Sequence, residues 1–101
     1  MIVEAVRFKS GLTDNEVLET YQARAPRYRS LPDLRQKYYL RYSRPGEHGA
    51  VYLWESEAAM RQFHESELGK TISKAYQVQG SPDIQTADLV MMLRHDEETV
   101  S

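Results

Sequence analysis

The sequence predicts an α+β domain in the order β–α–β–β–α–β. Three observations lead there. Residues 31–63, LPDLRQKYYLRYSRPGEHGAVYLWESEAAMRQF, read as strand, turn, strand and then helix, because the apolar period changes from two to helical at Ala59, Met60 and Phe63. A capping-box signature opens a helix at Thr13. A last strand-like run covers residues 84–93.

Residues 2–9 form the first strand. Ile2, Val6 and Phe8 lie on one face; Val3, Ala5 and Arg7 lie on the other. Glu4 and Arg7 each interrupt an otherwise apolar face. Gly11 ends the strand. Thr13 as N-cap and Glu16 three residues on then start the first helix, with Leu12 and Val17 placed to staple it. Val17, Leu18, Tyr21 and Ala25 supply its apolar stripe. Pro26 is expected to end or kink it, since a residue before proline is pushed out of the helical region.

The hairpin follows. Leu34, Gln36, Tyr38, Leu40 and Tyr42 share one face of its first strand, and Arg35, Lys37, Tyr39 and Arg41 the other. Residues 44–49 are expected to form the turn, since Pro45 lacks a donor and Gly46 and Gly49 accept positive φ. Residues 50–54 form the return strand. Large side chains occupy both hairpin faces, whereas a sheet with one face in water alternates more cleanly. Helices are therefore expected on one face, and a second sheet over part of the other.

Ser56 is a good N-cap for the second helix, with Glu57 at the positive end of its dipole. Gly69 weakens or breaks this helix. Leu68, Ile72 and Tyr76 extend a helical stripe to about residue 78, and Gly80 and Pro82 stop it. The order is the split-βαβ, ferredoxin-like arrangement. Residues 1–95 make one domain, and the acidic residues 96–101 a tail without fixed structure.

With 101 residues, the domain buries only roughly 60–65% of its unfolded surface, and a second copy would add burial. The net charge of −2 makes no global case for nucleic acid or membrane. The absence of cysteine removes disulfides, thiolate catalysis and Cys-ligated metals. There is no signal-like apolar leader and no membrane-spanning run, so a cytoplasmic location is expected.

Residues 31–63 carry a resemblance. Pro32, Leu34, the Lys37-Tyr38-Tyr39-Leu40 strand, Gly49, the Val51-Tyr52-Leu53-Trp54 strand, Ser56, Ala58, Ala59 and Phe63 resemble the YdhR-like monooxygenase family. That family belongs to the antibiotic-biosynthesis-monooxygenase superfamily of dimeric α+β barrels. Asp33 and Ala50 stand where the family usually has glycine. The resemblance implies a homodimer with its two sheets facing each other. It implies oxidation of a small aromatic, quinol-like or anthrone-like substrate by molecular oxygen, without metal or flavin. A non-catalytic ligand-binding or stress-related dimeric scaffold is the competing reading. A haem-degrading branch carries asparagine, tryptophan and histidine where Arg7, Phe63 and Ser73 stand here, so haem degradation is rejected.

Such oxygen chemistry needs a dry pocket, a proton acceptor, and a donor or cation near the developing anion. The pocket is expected between helices and sheet. Arg7 is the candidate anion clamp; its plainer reading is an edge or inter-subunit salt bridge, to Glu4 or to Glu55 of the partner subunit. His64 is the candidate acid/base at the pocket rim. Tyr39 is a candidate hydroxyl for the proton. Tyr38, Tyr52, Trp54, Phe63 and Tyr76 are the candidate substrate contacts, although the plainer reading of any single one is core or dimer-interface packing. His48 is expected to be solvated in the turn. The three histidines show no metal-ligand spacing, so no metal is expected. Arg24, Arg27, Arg29, Arg35, Lys37, Arg41 and Arg44 form a basic, tyrosine-interleaved segment, but no ribonucleoprotein signature accompanies it.

Overall fold

A computed structural model describes residues 1–94. The tail expected at residues 96–101 lies outside the described residues. The elements are β1 (Ile2–Ser10), α1 (Asp14–Arg29), β2 (Leu34–Arg41), β3 (Glu47–Trp54), α2 (Glu57–Glu65), α3 (Glu67–Lys70), α4 (Ile72–Ala75) and β4 (Val78–Asp88). The strands form one antiparallel sheet in the order β2-β3-β1-β4. This is the ferredoxin-like arrangement.

The Thr13 capping box forms: its hydroxyl accepts from Glu16 N, and the Glu16 carboxylate accepts from Thr13 N. α1 buries Val17, Tyr21 and Tyr28, and α2 buries Ala59, Met60 and Phe63. These side chains pack on Phe8 of β1 and on Ala50, Tyr52 and Trp54 of β3. The opposite sheet face carries Val3 and Ala5 across from Leu53 and Val51, with Tyr38 next to Val51. Neither core cluster draws on that face, and Tyr38 is 59% exposed there.

Four local expectations are corrected. Pro26 lies inside α1, which continues to Arg29. Burial of Tyr28 in the main core outweighs the lost backbone bond. β3 starts at Glu47, so His48 is in the strand and 1% exposed, against the Phe8 ring at 6.3 Å. The second helix breaks at Ser66, whose backbone turns extended and whose hydroxyl accepts from Gly69 N to cap α3. β4 starts at Val78, and Gly80 and Pro82 lie within it. There the pairing slips from Arg7↔Asp83 to Lys9↔Gln79, a bulge in which Gly80 takes φ +71. An edge strand tolerates proline because its outer donors face no partner.

Candidate active site

The β4 bulge and the broken second helix leave a gap over β1. It is a cavity of about 190 Å³ between α2–α4 and the sheet. Glu4, Val6 and Phe8 of β1 and Tyr52 of β3 form the floor. Phe63, His64 and Ile72 lie above, and Pro82 and Ile84 close the β4 side. Gly69 also lines it, and any β-carbon there would collide with the Phe63 carbonyl. Close helix-to-helix approach therefore needs glycine.

The one acid in this apolar floor is Glu4, which is 1% exposed. Its Oε1 accepts from Trp54 Nε1 at 2.9 Å, and its Oε2 lies 2.5 Å from His64 Nε2. A buried carboxylate requires such partners. His64 is 41% exposed at the side chain, so the pair runs from the floor to the rim. With the carboxylate accepting at Nε2–H, the neutral ring leaves Nδ1 as its lone-pair nitrogen. The arrangement is an oriented base: the Glu4 carboxylate fixes the orientation of the ring.

Aromatic rings wall this site. Tyr52 stacks on Trp54 with centroids 5.5 Å apart, and Phe63 lies 5.0 Å from Trp54. Burial pushes the Tyr52 hydroxyl well above the ordinary phenol range, with the neighbouring Tyr28 adding to the shift. Tyr52 is thus a neutral donor, not a base.

The candidates from sequence separate into two groups. His64, Tyr52 and Phe63 come together at the cavity, and Trp54 holds Glu4 beneath it. Arg7 does not: it projects from the opposite sheet face, where its Nε donates to Glu47 Oε1 at 2.7 Å and its guanidinium lies 4.0 Å over the Tyr42 ring. The ordinary alternation of β1 separates Arg7 from Glu4. Tyr38 lies on that same open face. Tyr39 faces the helices but packs on Tyr21, 4.4 Å between centroids, under α1. Tyr76 is buried 5.4 Å from both Phe8 and Tyr21, outside the cavity lining. Glu4 was missed as a site residue, although a lone acid on an apolar strand face was the signal for it. Among the described residues, no group of three or more His, Asp or Glu is arranged to hold a metal ion.

No protein-family model matches the chain, and no curated protein is similar to it in sequence. Solved structures do resemble it. NE2512, a protein of unknown function from Nitrosomonas europaea, is 12% identical, with a TM-score of 0.76 and 94% of each chain covered. SnoaB, a cofactor-independent oxygenase from Streptomyces nogalater, is 12% identical, with a TM-score of 0.74 over 93% of this chain and 97% of its own. An antibiotic biosynthesis monooxygenase is 16% identical, with a TM-score of 0.73 over 90% of this chain and 100% of its own. The chain therefore has the ferredoxin-like α+β fold of the antibiotic biosynthesis monooxygenases.

Proposed function

We propose that this protein is a cofactor-independent monooxygenase acting on a one- or two-ring phenol. The observation that carries the reading is the buried Glu4 holding His64 at the rim of an apolar cavity. The cavity volume of about 190 Å³ sets the size. It exceeds the roughly 150 Å³ that takes up benzene and falls short of the ~300–1,000 Å³ typical for drug-sized ligands. A tricyclic anthrone is a poor fit.

In this reading His64 Nδ1 accepts the phenol proton, and Glu4 stabilises the resulting imidazolium. Phe63 and Tyr52 flank the ring. The phenolate supplies the electrons. Oxygen bonds to the ring carbon para to the hydroxyl as a peroxide anion, which takes the proton back from His64 to become a hydroperoxide. The hydrogen on that carbon leaves as a proton while the O–O bond breaks, the carbon keeps one oxygen as a carbonyl, and the departing hydroxide takes up that proton. The other oxygen leaves as water, so phenol plus O₂ gives quinone plus water.

A homodimer belongs to the same proposal. The apolar sheet face around Val3, Val51 and Leu53 is open in the single chain. Beyond β4, Val90, Met91 and Leu93 are 92%, 75% and 84% exposed. A second copy would cover both.

One observation favours the scaffold reading: both Glu4 oxygens already have partners, as in a purely structural network. Oxygen uptake with 1-naphthol and related dihydroxynaphthalenes separates the two. Uptake that collapses in Glu4→Gln supports the oxygenase. Ligand binding without oxygen consumption supports the scaffold.

A further inference from the structure

A second cluster of polar groups lies beneath α1 and is not used by the Glu4–His64 chemistry. Arg24 and Tyr28 come from α1, Lys37 from β2, and Tyr76 from the end of α4. Tyr28 and Tyr76 are 4% and 3% exposed; neither hydroxyl makes a well-formed hydrogen bond, although Arg24 and the Tyr52 hydroxyl lie beside that of Tyr28. Arg24 Nε is also buried and unpartnered, while its Nη2 donates to Leu68 O at 2.8 Å and to Thr71 Oγ1 at 3.2 Å. Lys37 Nζ lies against three ring faces: Tyr28 at 3.3 Å, Tyr39 at 4.4 Å and Tyr52 at 4.6 Å to the centroids.

Arg24 and Lys37 can only donate, and the two phenols donate as well as accept. Among the described residues, no carboxylate forms an ion pair with Arg24 or Lys37. Glu4 is the acid that Lys37 senses, and both its oxygens are committed to Trp54 and His64. Two cations and two buried hydroxyls therefore converge with no carboxylate in direct contact, Glu4 acting on Lys37 only at a distance. Buried polar groups ordinarily have partners, and orphaned ones mark an occupant. Buried cations likewise demand an anion.

We propose that Arg24, Tyr28, Lys37 and Tyr76 form a binding site for a small anion or a carboxylate group between α1 and the sheet. Arg24 Nε–H and the two phenol O–H groups supply directed hydrogen bonds, and Lys37 supplies charge. Tyr52 is the partition between this site and the apolar cavity, since it lines the cavity and meets Lys37 with its ring. Burial, reinforced by Arg24, lowers the Lys37 amine to about 7, so the site is most positive below neutral pH. The groups facing Lys37 are Arg24 and Tyr28 from α1, Tyr39 from β2, Tyr52 from β3, and Glu4 from β1. The inference does not depend on oxygen chemistry.

Bromide is the first probe and 4-hydroxybenzoate the second. In bromide-soaked crystals of the full chain, an anomalous peak is expected within hydrogen-bond reach of Arg24 Nε and the Tyr28 and Tyr76 hydroxyls. In solution, bromide is expected to raise Tm saturably at pH 6, with apparent affinity at least tenfold weaker at pH 9. Tyr28→Phe, which keeps the ring, and Lys37→Gln are each expected to weaken it by a similar factor. A free anion is the source if bromide occupies the site alone. A substrate carboxylate is the source if 4-hydroxybenzoate places its carboxylate there and displaces bromide. Ordered water alone in both soaks, with no pH-dependent Tm shift, overturns the proposal. Oxygen uptake by a protein that fails both soaks would leave the oxygenase reading standing and this one refuted.

Discussion

His64 Nε2 lies 2.5 Å from Oε2 of Glu4, a carboxylate only 1% exposed and sixty positions away in the chain. The contact joins the first strand to the second helix and gives the cavity its only acid–base pair among the described residues. Replacing Glu4 by Gln keeps an acceptor for Trp54 but removes the charge behind His64. Oxygen uptake is expected to fall about 100-fold or more, the usual contribution of a positioned base. Glu4→Ala additionally strands the Trp54 N–H and should lower unfolding free energy by about 3 kcal/mol in urea titrations. An E4Q protein with undiminished uptake would refute the role of this pair.

Gly69 presses α3 against the end of α2. The Gly69→Ala β-carbon would collide with the Phe63 carbonyl, which is backbone and cannot rotate away. Overpacking of this kind is worth about 2 kcal/mol of destabilisation. Urea unfolding is the measurement, and wild-type stability in Gly69→Ala is the outcome that contradicts the close approach.

Lys37 makes stability depend on pH in a definite direction. Its folded-state value is lowered from 10.5 to about 7, chiefly by burial. Between those values the unfolded chain holds a proton that the folded chain has released, so stability rises with pH across that window. Below 7 both states hold it, and the burial penalty is fully present. In halide-free buffer, Lys37→Met should stabilise the protein by about 2 kcal/mol at pH 6 and much less at pH 10. Chemical denaturation at the two pH values reads this out. An equal effect at both is incompatible with a buried, depressed amine.

The open sheet face should hold two copies together. Light scattering is expected to give twice the 11.7 kDa chain mass at micromolar concentration. Leu53→Glu puts a charge beside Val3 on that face and should yield folded monomers. A wild-type monomer would count against the dimer.

The basic segment should not bind nucleic acid at physiological salt. Four of its cations reach acids: Arg27–Glu67 at 3.3 Å, Arg35–Glu55 at 2.9 Å, Arg41–Asp14 at 3.9 Å and Arg44–Glu47 at 3.5 Å. Micromolar binding of generic single-stranded RNA, weakened by salt and by Arg35→Ala, would reverse this expectation.

Local signals in the sequence determined the order of elements. The Thr13 capping box, the Ser56 N-cap and the period change after Trp54 act over a few residues, and each forms as read. Alternation in β1 separated Phe8 from Arg7 onto opposite faces, but both faces carry apolar residues, so which one lies under the helices was not legible and Arg7 was expected in the pocket. Tertiary structure decided what those local rules leave open. It carried α1 through Pro26 because Tyr28 gains more by burial than the backbone loses. It drew His48 out of the turn into β3 and folded Gly80 and Pro82 into an edge-strand bulge. It also turned Glu4 from an interruption in an apolar strand into the partner of His64. A carboxylate on an apolar face needs a donor from elsewhere in the chain, and only the packing of α2 over β1 determines which residue supplies it.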